Sequence, residues 1–335
     1  MDLGRQMQGR SLLQITDLAD EEFLYLLDLS DQLKAEKRAG KFPRRLAHKN
    51  LALIFEKMST RTRCACAVAA SDEGGHSEFL TTQDIHLGKK ESVADTARVL
   101  GRMFDGILFR GYEQETVSLL AKHAGVPVWN GLTDAHHPTQ AMADLMTVRE
   151  HFGRLQGIKL VYVGDGRNNV ATSLMFACAK VGIHFVNATP AALAPDAELV
   201  RWCEERARSN GGSCQVVHDP VDGVKDANVV YTDVWVSMGE EKQQAERMQL
   251  LQPYQVNAAL MQQTGHAEDG ELIFLHCLPA FHDHHTELTR ELGALEVTDE
   301  VFEGPFSRVF EQAENKMHSM KSLFVATAGH GAVGD

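Results

Sequence analysis

Short apolar runs alternate along this chain with longer stretches whose apolar residues recur at helical spacing. In the first half the runs are LALIF (51–55), GILF (106–109) and VPVW (126–129). In the second half they cover 160–163, 183–188, 215–217, 228–232 and 272–275. Runs this short and this apolar, separated by helical stretches, are typical of strands buried in a parallel sheet. The pattern therefore predicts an α/β fold.

Helical stretches fill the spaces between these strands. Phe23, Leu26, Leu27 and Leu33 recur at near-helical spacing and predict an amphipathic helix near the start of the chain. Further helices are predicted near 60–73, 92–103, 114–124, 139–151 and 313–328. This alternation is the βαβ rhythm of a parallel sheet.

The strands form two sets, separated by a polar stretch between Gly153 and Gly157. A length of 335 residues is also too great for one compact core of ordinary size. We predict two doubly wound parallel-sheet domains, residues 1–150 and 151–312, with the active site in the cleft between them. A C-terminal helix in residues 313–335 is expected to dock back on the first domain.

Charge and composition narrow the possible partners. The formal net charge of −13 repels polyanions, so neither nucleic acid nor an anionic membrane surface is an expected partner. No apolar run approaches the ~20 residues of a membrane span. The six cysteines lack the dense spacing of a secreted disulfide scaffold. The sequence therefore predicts a cytoplasmic protein with reduced thiols.

Two groups of residues resemble metal ligands without forming a complete set. Cys64 and Cys66 lie in an Ala/Val-rich helical stretch, without the second cysteine pair that a four-ligand site needs. The histidines of the His-Asp-His-His run (282–285) are more typical of a solvated polar loop. No metal or other cofactor is predicted.

Polar clusters follow the predicted strands, where ligands bind in open parallel sheets. Ser59–Arg63 begins a helix and offers hydroxyls, backbone N–H groups and guanidinium forks that suit a phosphate. The alternative is an ordinary Ser/Thr cap followed by surface arginines. Arg110 and His137, at neighbouring strand ends, add donors that can polarise a carbonyl, and the Gln140 amide can accept from a small NH₂ group. Agreement among three strand ends favours the phosphate site.

The Gly164–Asn169 cluster combines a strand, a GxG turn and a helix, as dinucleotide sites do. The third glycine position holds Asn169, and the strand after the helix ends in Asn187-Ala188 without a ribose-binding acid. A nicotinamide-dependent enzyme is therefore disfavoured. Asn168 either offers its amide to a carboxylate or serves only in the turn.

Phosphoryl transfer is the other rival reaction. It normally needs a Walker-type loop or carboxylates that hold Mg²⁺, and neither is present in the sequence beside Ser59. Donors without a metal favour attack on an acyl carbon with phosphate as the leaving group. Cys277 is either buried packing or chemistry, and its His-Cys-Leu-Pro context at a strand end favours chemistry.

Along nearly its whole length the chain resembles the ornithine carbamoyltransferases, a branch of the aspartate/ornithine carbamoyltransferase superfamily. The resemblance depends on FEKMSTRTR, HPTQ, GDGRNN, DVWVSMGEE, HCLPAFHD and EVFEGP with QAEN, in the family order and spacing. STRT and HPTQ are typical of carbamoyltransferases in general, whereas DVWVSMG and HCLP indicate the ornithine-using branch. The resemblance implies transfer of a carbamoyl group from carbamoyl phosphate to the side-chain amine of L-ornithine. An enzyme that carbamoylates putrescine or another amine is the alternative.

The resemblance also implies a carbamoyl phosphate site. The residues expected to form it are Ser59, Thr60, Arg61, Thr62, His86, Arg110, His137, Gln140, Cys277, Leu278 and Lys316. Residues 59–62 would hold the phosphate, Arg110 and His137 would polarise the carbamoyl oxygen, and Gln140 would orient the NH₂ group. The resemblance further implies a trimer with active sites at subunit interfaces. His86 is therefore expected to reach the carbamoyl phosphate bound by the neighbouring subunit.

A second set of implied residues binds ornithine. It consists of Asn168, Asp233, Ser237 and Met238, and the loop that carries Ser237-Met238-Gly239 is expected to close after ornithine binds. Cys277 and Leu278 would line the reacting amine and carbamoyl group. The expected catalytic residues are Arg110, His137, Cys277 and Asp233.

One position departs from the family pattern. The family usually reads Ala-Glu-Asn-Arg near the C-terminus, where the Arg contacts carbamoyl phosphate, whereas this chain has Lys316 after Asn315. Lysine cannot offer the planar two-pronged contact of arginine. We therefore expect an altered affinity for carbamoyl phosphate or an altered turnover, which the nearby Arg308 would partly offset.

Overall fold

The computed structural model describes residues 3–235 and 244–330. Ser237 and Met238, which the sequence places in the ornithine site, lie outside these described residues. The chain divides into two compact units, Met1–Met146 with Glu314–Asp335 and Thr147–Ala313.

The first unit is built around a parallel sheet. Its elements are α1 (Leu3–Met7), α2 (Asp20–Arg38), β1 (Asn50–Phe55), α3 (Thr60–Asp72), β2 (His76–Thr81), α4 (Val93–Leu100), β3 (Gly106–Arg110), α5 (Gln114–Ala124), β4 (Val128–Leu132) and most of α6 (Pro138–Phe152). In the described residues the sheet has four strands in the order β2-β1-β3-β4, and every pair is parallel.

The second unit has its own parallel sheet. Its elements are β5 (Lys159–Val163), α7 (Asn169–Val181), β6 (His184–Ala188), α8 (Ala197–Ser209), β7 (Ser213–Val217), α9 (Pro220–Val224), β8 (Val229–Thr232), α10 (Gln244–Leu251), α11 (Ala258–Gln262), β9 (Ile273–His276), α12 (Thr289–Leu292), α13 (Asp299–Phe302) and the start of α14 (Val309–Ala328). The five strands found in the described part follow the order β7-β6-β5-β8-β9 and are parallel. The predicted fold class is confirmed.

Apolar packing explains why the short runs become strands. Ile54, Ile107 and Phe109 are fully buried with helix residues such as Leu120 in the first unit, and Val161, Val230 and Phe274 form the corresponding core of the second. A parallel sheet covered on both faces requires such continuous apolar runs. Burial of each large apolar side chain stabilises the fold by roughly 1.5–3 kcal/mol.

Three predicted boundaries were wrong. The strand predicted at 126–129 begins at Val128 and continues to Leu132, because Pro127 has no N–H to donate and Asn130 is buried with its amide hydrogen-bonded. The last helix begins at Val309, earlier than the predicted 313. The third, α4, ends at Leu100 instead of 103.

One strand was not predicted. In β2, the half-exposed residues of His76–Thr81 include several polar side chains. Its position at the edge of the sheet beside β1 explains why polar residues are tolerated there.

Each sheet has a topological switch point, a reversal at which strands that follow one another in the sequence are added first to one side of the sheet and then to the other. In the first unit the reversal lies between β1 and β3, and in the second it lies between β5 and β8. Ligands in open α/β sheets bind beyond the carboxyl ends of the strands at such points. The described part of the chain has no helix long and apolar enough to cross a membrane.

Candidate active site

The Ser59–Thr62 segment follows β1 and begins α3. Ser59 is the N-cap, and its Oγ accepts a hydrogen bond from the Thr62 backbone N–H at 3.2 Å. The capping role that the sequence left as an alternative is therefore observed for Ser59. The first turn of this helix still presents backbone N–H groups and the positive end of the helix dipole. Arg63 lies apart from this turn, with its guanidinium 3.8 Å from the centroid of the Phe79 ring.

Arg110 ends β3, directly beside β1. It pairs with Phe55 in the sheet register, and its side chain is buried. Its Nε donates to the backbone carbonyl of Lys57 at 3.2 Å. The guanidinium is therefore fixed next to the segment that leads to Ser59.

His137 lies immediately before α6 and is buried. The turn that precedes it is held by polar contacts: the Thr133 N–H donates to the His136 carbonyl at 2.9 Å, and the Thr133 hydroxyl donates to the Gln114 side chain at 2.6 Å. Asn130 supports the same turn from β4, with its amide donating to the Thr133 hydroxyl at 3.3 Å and to the His136 carbonyl at 3.4 Å. The position of His137 is thus set by a hydrogen-bonded turn at a strand end.

Lys316, on α14, adds a cation to Arg110, His137 and Gln140, and these four residues are called the first group. Its Nζ lies 3.2 Å from His137 Nε2 and donates to Gln140 Oε1 at 3.0 Å. The Gln140 amide nitrogen donates to Asp144 at 2.8 Å. The Gln140 oxygen was expected to accept a hydrogen bond from a carbamoyl NH₂ group. In this structure it accepts one from Lys316 instead.

The electrostatic environment of this first group is positive. Burial, followed by the charges of Lys316, Arg110 and Arg61, holds the pKa of His137 well below its ordinary value of 6.5. Burial also raises the pKa of the Cys66 thiol to about 12, although Lys316 and Arg110 oppose that shift. His137 is consequently a neutral imidazole at physiological pH, surrounded by cations that suit an anionic ligand.

His86 is not joined to this group within its own chain. It is exposed and forms a turn, in which its carbonyl accepts from the Lys89 N–H at 3.0 Å. Among the described residues, no hydrogen bond or ion pair links the His86 side chain to Ser59, Arg110 or His137.

In the second unit, Asn168, Asp233 and Cys277 meet at three strand ends. Asn168 caps α7 by accepting from the Val170 N–H, and its Nδ2 donates to Asp233 Oδ2 at 3.1 Å. The Cys277 thiol donates to Asp233 Oδ1 at 3.1 Å. The carboxylate thus joins the loops after β5, β8 and β9.

Asp233 is an acid in an unfavourable environment for its charge. Burial raises the pKa of Asp233 above its ordinary value, although His276, the Cys277 thiol and the Val234 N–H act in the opposite direction. A buried carboxylate of this kind is suited to holding a cationic amine or to exchanging a proton.

The turn that carries Cys277 depends on residues that the sequence reading missed. The Leu278 N–H donates to His276 Nδ1 at 3.0 Å, and His276 Nε2 lies 3.2 Å from the buried Glu296 carboxylate. Gln312 accepts from the His276 backbone N–H at 2.9 Å. The QAEN motif gave a signal for Gln312, whereas no pattern in the sequence distinguishes Glu296.

A metal would compete with this arrangement. The ligand atoms of Asp233, His276 and Cys277 lie within 4.8 Å of one another. Both ring nitrogens of His276 are already engaged, by Leu278 and Glu296. A metal ion here would therefore have to displace one of those contacts.

Arg308, the expected substitute for the missing family arginine, is used elsewhere. Its Nη1 donates to the Pro305 carbonyl at 2.8 Å and to the Ser307 carbonyl at 2.7 Å. These contacts close the turn before α14, while Lys316 itself reaches His137.

Family comparisons match both parts of the chain. A family model described as "Aspartate/ornithine carbamoyltransferase, carbamoyl-P binding domain" matches residues 10–150. A second, described as the "Asp/Orn binding domain" of the same enzymes, matches residues 156–327.

Individual relatives match over almost the whole length. The chain is 55% identical to a catabolic ornithine carbamoyltransferase of Bacillus licheniformis, over 96% of this chain and 97% of that protein. It is 54% identical to an ornithine carbamoyltransferase of Pseudothermotoga lettingae, over 96% and 98% of the two chains. Among solved structures, the ornithine carbamoyltransferase of Pyrococcus furiosus superposes with a TM-score of 0.88 at 45% identity and covers 96% of this chain and 98% of that one.

Proposed function

The chain belongs to the aspartate/ornithine carbamoyltransferase family, and from that premise we propose that it transfers the carbamoyl group of carbamoyl phosphate to the side-chain amine of L-ornithine, giving L-citrulline and phosphate. The carrying observation is the 55% identity, over 96% of the chain, to a relative named for this reaction. The direction of shift of the Asp233 pKa and its contact with Cys277 agree with an acceptor that presents an amine.

Carbamoyl phosphate would bind to the residues of the first unit. The phosphate would accept hydrogen bonds from residues 59–62, where the N-terminus of α3 provides N–H groups and hydroxyls. Arg110 and the neutral His137 would donate to the carbamoyl oxygen, and Gln140 would orient the NH₂ group. Lys316 Nζ contacts His137 and Gln140, so it lies beside this site. When the anion binds, the ammonium group would move from these contacts onto the anion.

Ornithine would bind to the residues of the second unit. Asn168 and Asp233 are adjacent, and Ser237 and Met238, outside the described residues, would complete the contacts to the amino-acid end. Cys277 and the following Leu278 would line the reacting groups. Asp233 and Cys277 would orient the amine and help to remove its proton.

The reaction itself needs charge stabilisation more than covalent chemistry. The neutral amine attacks the carbamoyl carbon, a C–N bond forms, and the carbonyl oxygen gains negative charge. Donors from Arg110 and His137 stabilise that charge, the amine nitrogen loses a proton, and the C–O bond to phosphate breaks. Phosphate leaves as an anion held at the start of α3.

We also propose that the protein forms homotrimers, alone or in multiples, in which His86 completes the neighbouring carbamoyl phosphate site. The exposure of His86, whose carbonyl accepts from the neighbouring turn residues Lys89 and Glu91, supports this idea. Mixing inactive Arg110→Ala and His86→Ala proteins should restore part of the activity, because hybrid trimers contain one intact interface. Reassembly verified by native mass spectrometry without recovered activity would contradict a shared site.

The proposed place of action is arginine metabolism in the cytoplasm. The six cysteines, all within the described residues, form no disulfide, which is in keeping with a reducing compartment. Four of the relatives are named catabolic enzymes, and the role proposed for this chain in arginine metabolism covers both synthesis and breakdown.

A citrulline assay with purified protein tests the proposed function. Carbamoyl phosphate with L-ornithine should give citrulline and phosphate, whereas putrescine and L-aspartate should react far more slowly. The assay is run in both directions with full saturation curves. Faster carbamoylation of putrescine than of ornithine would contradict the proposed acceptor.

A further inference from the structure

Lys57 is a buried cation beside the carbamoyl phosphate residues, and the proposed mechanism does not use it. It lies between β1 and Ser59, and its side chain is only 6% exposed. Its ammonium forms an ion pair with Asp134 and lies 4.3 Å from the centroid of the Tyr112 ring. Burial of a charge requires such partners. The contacts with Asp134 and Tyr112 therefore explain how the charged Lys57 ammonium can be buried.

The main chain around Lys57 is tied to the same loops. The Lys57 carbonyl accepts from Arg110 Nε at 3.2 Å, and the Glu56 N–H donates to the Arg110 carbonyl at 2.8 Å. The Asp134 N–H donates to the Tyr112 carbonyl at 2.8 Å. The ends of β1, β3 and β4 are thus joined around one ammonium group.

We propose that Lys57 is a positioning residue that holds Arg110 and the turn before His137 in the geometry that carbamoyl phosphate requires, without contacting the substrate itself. This inference rests on the proposed function, because it takes carbamoyl phosphate as the ligand. Arg110 is oriented by the Lys57 carbonyl, and Asp134 anchors the turn that leads to His137. One residue therefore connects both groups that would polarise the carbamoyl oxygen.

Loss of the Lys57 charge should affect geometry more than stability. The Asp134 side chain is 60% exposed, so in Lys57→Met water replaces the ammonium beside the carboxylate and no charge is left buried without a partner. A displacement of about 1 Å in a catalytic site, in contrast, can lower the rate by roughly 100-fold. A merely structural role for Lys57 would produce the opposite balance.

The test compares Lys57→Met, Lys57→Arg and Asp134→Asn in the full-length protein. Lys57→Met should raise the KM for carbamoyl phosphate about tenfold and lower kcat, with a smaller change in the KM for ornithine. Lys57→Arg, which keeps the charge, should restore most of the activity. Asp134→Asn should reproduce the effect of Lys57→Met, and the double variant should be no worse than Lys57→Met alone.

Lys49→Met is the matched control. Lys49 pairs with Asp105 at 3.1 Å and precedes β1, whereas Lys57 follows it, so the control removes a lysine–aspartate pair at the opposite end of the same strand. Its kinetic constants should equal those of the wild type. Equal constants in Lys57→Met and Lys49→Met would overturn the proposal. Additive losses from Lys57→Met and Asp134→Asn would also overturn it, because they would indicate direct contact between Lys57 and substrate.

The proposed function and the role of Lys57 can fail separately. A wild type that forms no citrulline rejects the function, whereas an active wild type with unaffected variants rejects only the positioning role. Calorimetric titration with the bisubstrate analogue phosphonoacetyl-ornithine, whose acyl oxygen would meet Arg110 and His137, tests Lys57 without turnover: weaker binding by Lys57→Met than by Lys49→Met supports the role, and equal binding overturns it. Asp134→Asn leaves the buried Lys57 ammonium without its carboxylate, so Lys57→Gln, which leaves no buried charge, gives the same decision if Lys57→Met does not fold.

Discussion

The two units place groups of opposite charge at equivalent points of two similar sheets. In the first, the charges of Lys316, Arg110 and Arg61 act on His137, which follows β4, and Arg110 itself ends β3 at the reversal between β1 and β3. In the second, Asp233 lies with Asn168 and Cys277 at the reversal between β5 and β8. Parallel sheets bind ligands at such reversals, so the topology selects the two places, while the side chains determine which charge each place suits.

Burial has opposite consequences for these two groups. It lowers the pKa of His137, together with the neighbouring cations, and so preserves a neutral imidazole that can donate a hydrogen bond. It raises the pKa of Asp233 and so makes that carboxylate easier to protonate. The first group is prepared for an anion and the second for an amine.

Among these predictions, removal of the Arg110 charge from the first group should have the largest effect on activity. Arg110→Gln deletes the cation proposed to stabilise the developing oxyanion, and kcat/KM is expected to fall about 1,000-fold. Steady-state kinetics with both substrates measure the loss, and the exposed Arg102→Gln in the same unit is the control. A loss no greater than that of the control would remove Arg110 from the reaction.

Asp233→Asn, in the group formed by Asn168, Asp233 and Cys277, should change activity and stability in opposite directions. A carboxyl whose pKa is raised by folding contributes stability at low pH that is lost as the pH rises through the folded-state pKa. At pH 7 the buried Asp233 therefore costs the fold stability, and the Asn variant should be more stable while kcat falls about 100-fold.

Urea unfolding at pH 7 measures this second prediction, with the exposed Glu268→Gln as the control. A less stable Asp233→Asn protein would show that the hydrogen bonds from Asn168 and Cys277 outweigh the cost of burying the charge.

Much of the fold could be predicted because its strands are apolar on both faces. The runs at 51–55, 106–109 and 160–163 correspond to observed strands within a residue or two. The edge strand at 76–81 was missed because half-exposed polar residues carry no such signal. Periodicity therefore reports burial, and it fails where a strand is buried incompletely.

The candidate site was predictable only for residues within recognisable motifs. Strand ends and family motifs identified Arg110, His137 and Cys277 from local sequence. Glu296 acts on His276 from 20 residues away, and Lys57 meets Asp134 across 77 residues. Such contacts depend on how the loops fold together, which residue type and spacing do not specify.

Lys316→Arg should sharpen the positive character of the first group. The planar guanidinium can bind an anion with two hydrogen bonds, whereas the ammonium of Lys316 acts as a point charge. Affinity for carbamoyl phosphate is expected to rise about tenfold, since charge-assisted hydrogen bonds contribute roughly 1.5–3 kcal/mol each. Calorimetric titration with the bisubstrate analogue phosphonoacetyl-ornithine checks this value, with Lys316→Met as the opposite control. Unchanged affinity in the Arg variant, with the fold intact by circular dichroism, would show that lysine already satisfies the anion.

The smallest expected effect is a dependence of stability on pH that arises from His137. Folding lowers the pKa of this imidazole below 6.5, mainly by burial and then by the charge of Lys316. A group of this kind contributes stability that is fully present above its unfolded-state pKa and is lost as the pH falls below it, because the unfolded chain binds the proton first. As the pH falls from 7.5 through 6.5, this one group should reduce the free energy of unfolding. His137→Asn should lose that part of the pH dependence, whereas substitution of the exposed His76 by Asn should retain it. Parallel pH profiles for the wild type and His137→Asn would mean that His137 binds its proton as readily in the folded protein as in the unfolded chain, and the cations around it would then not govern its charge.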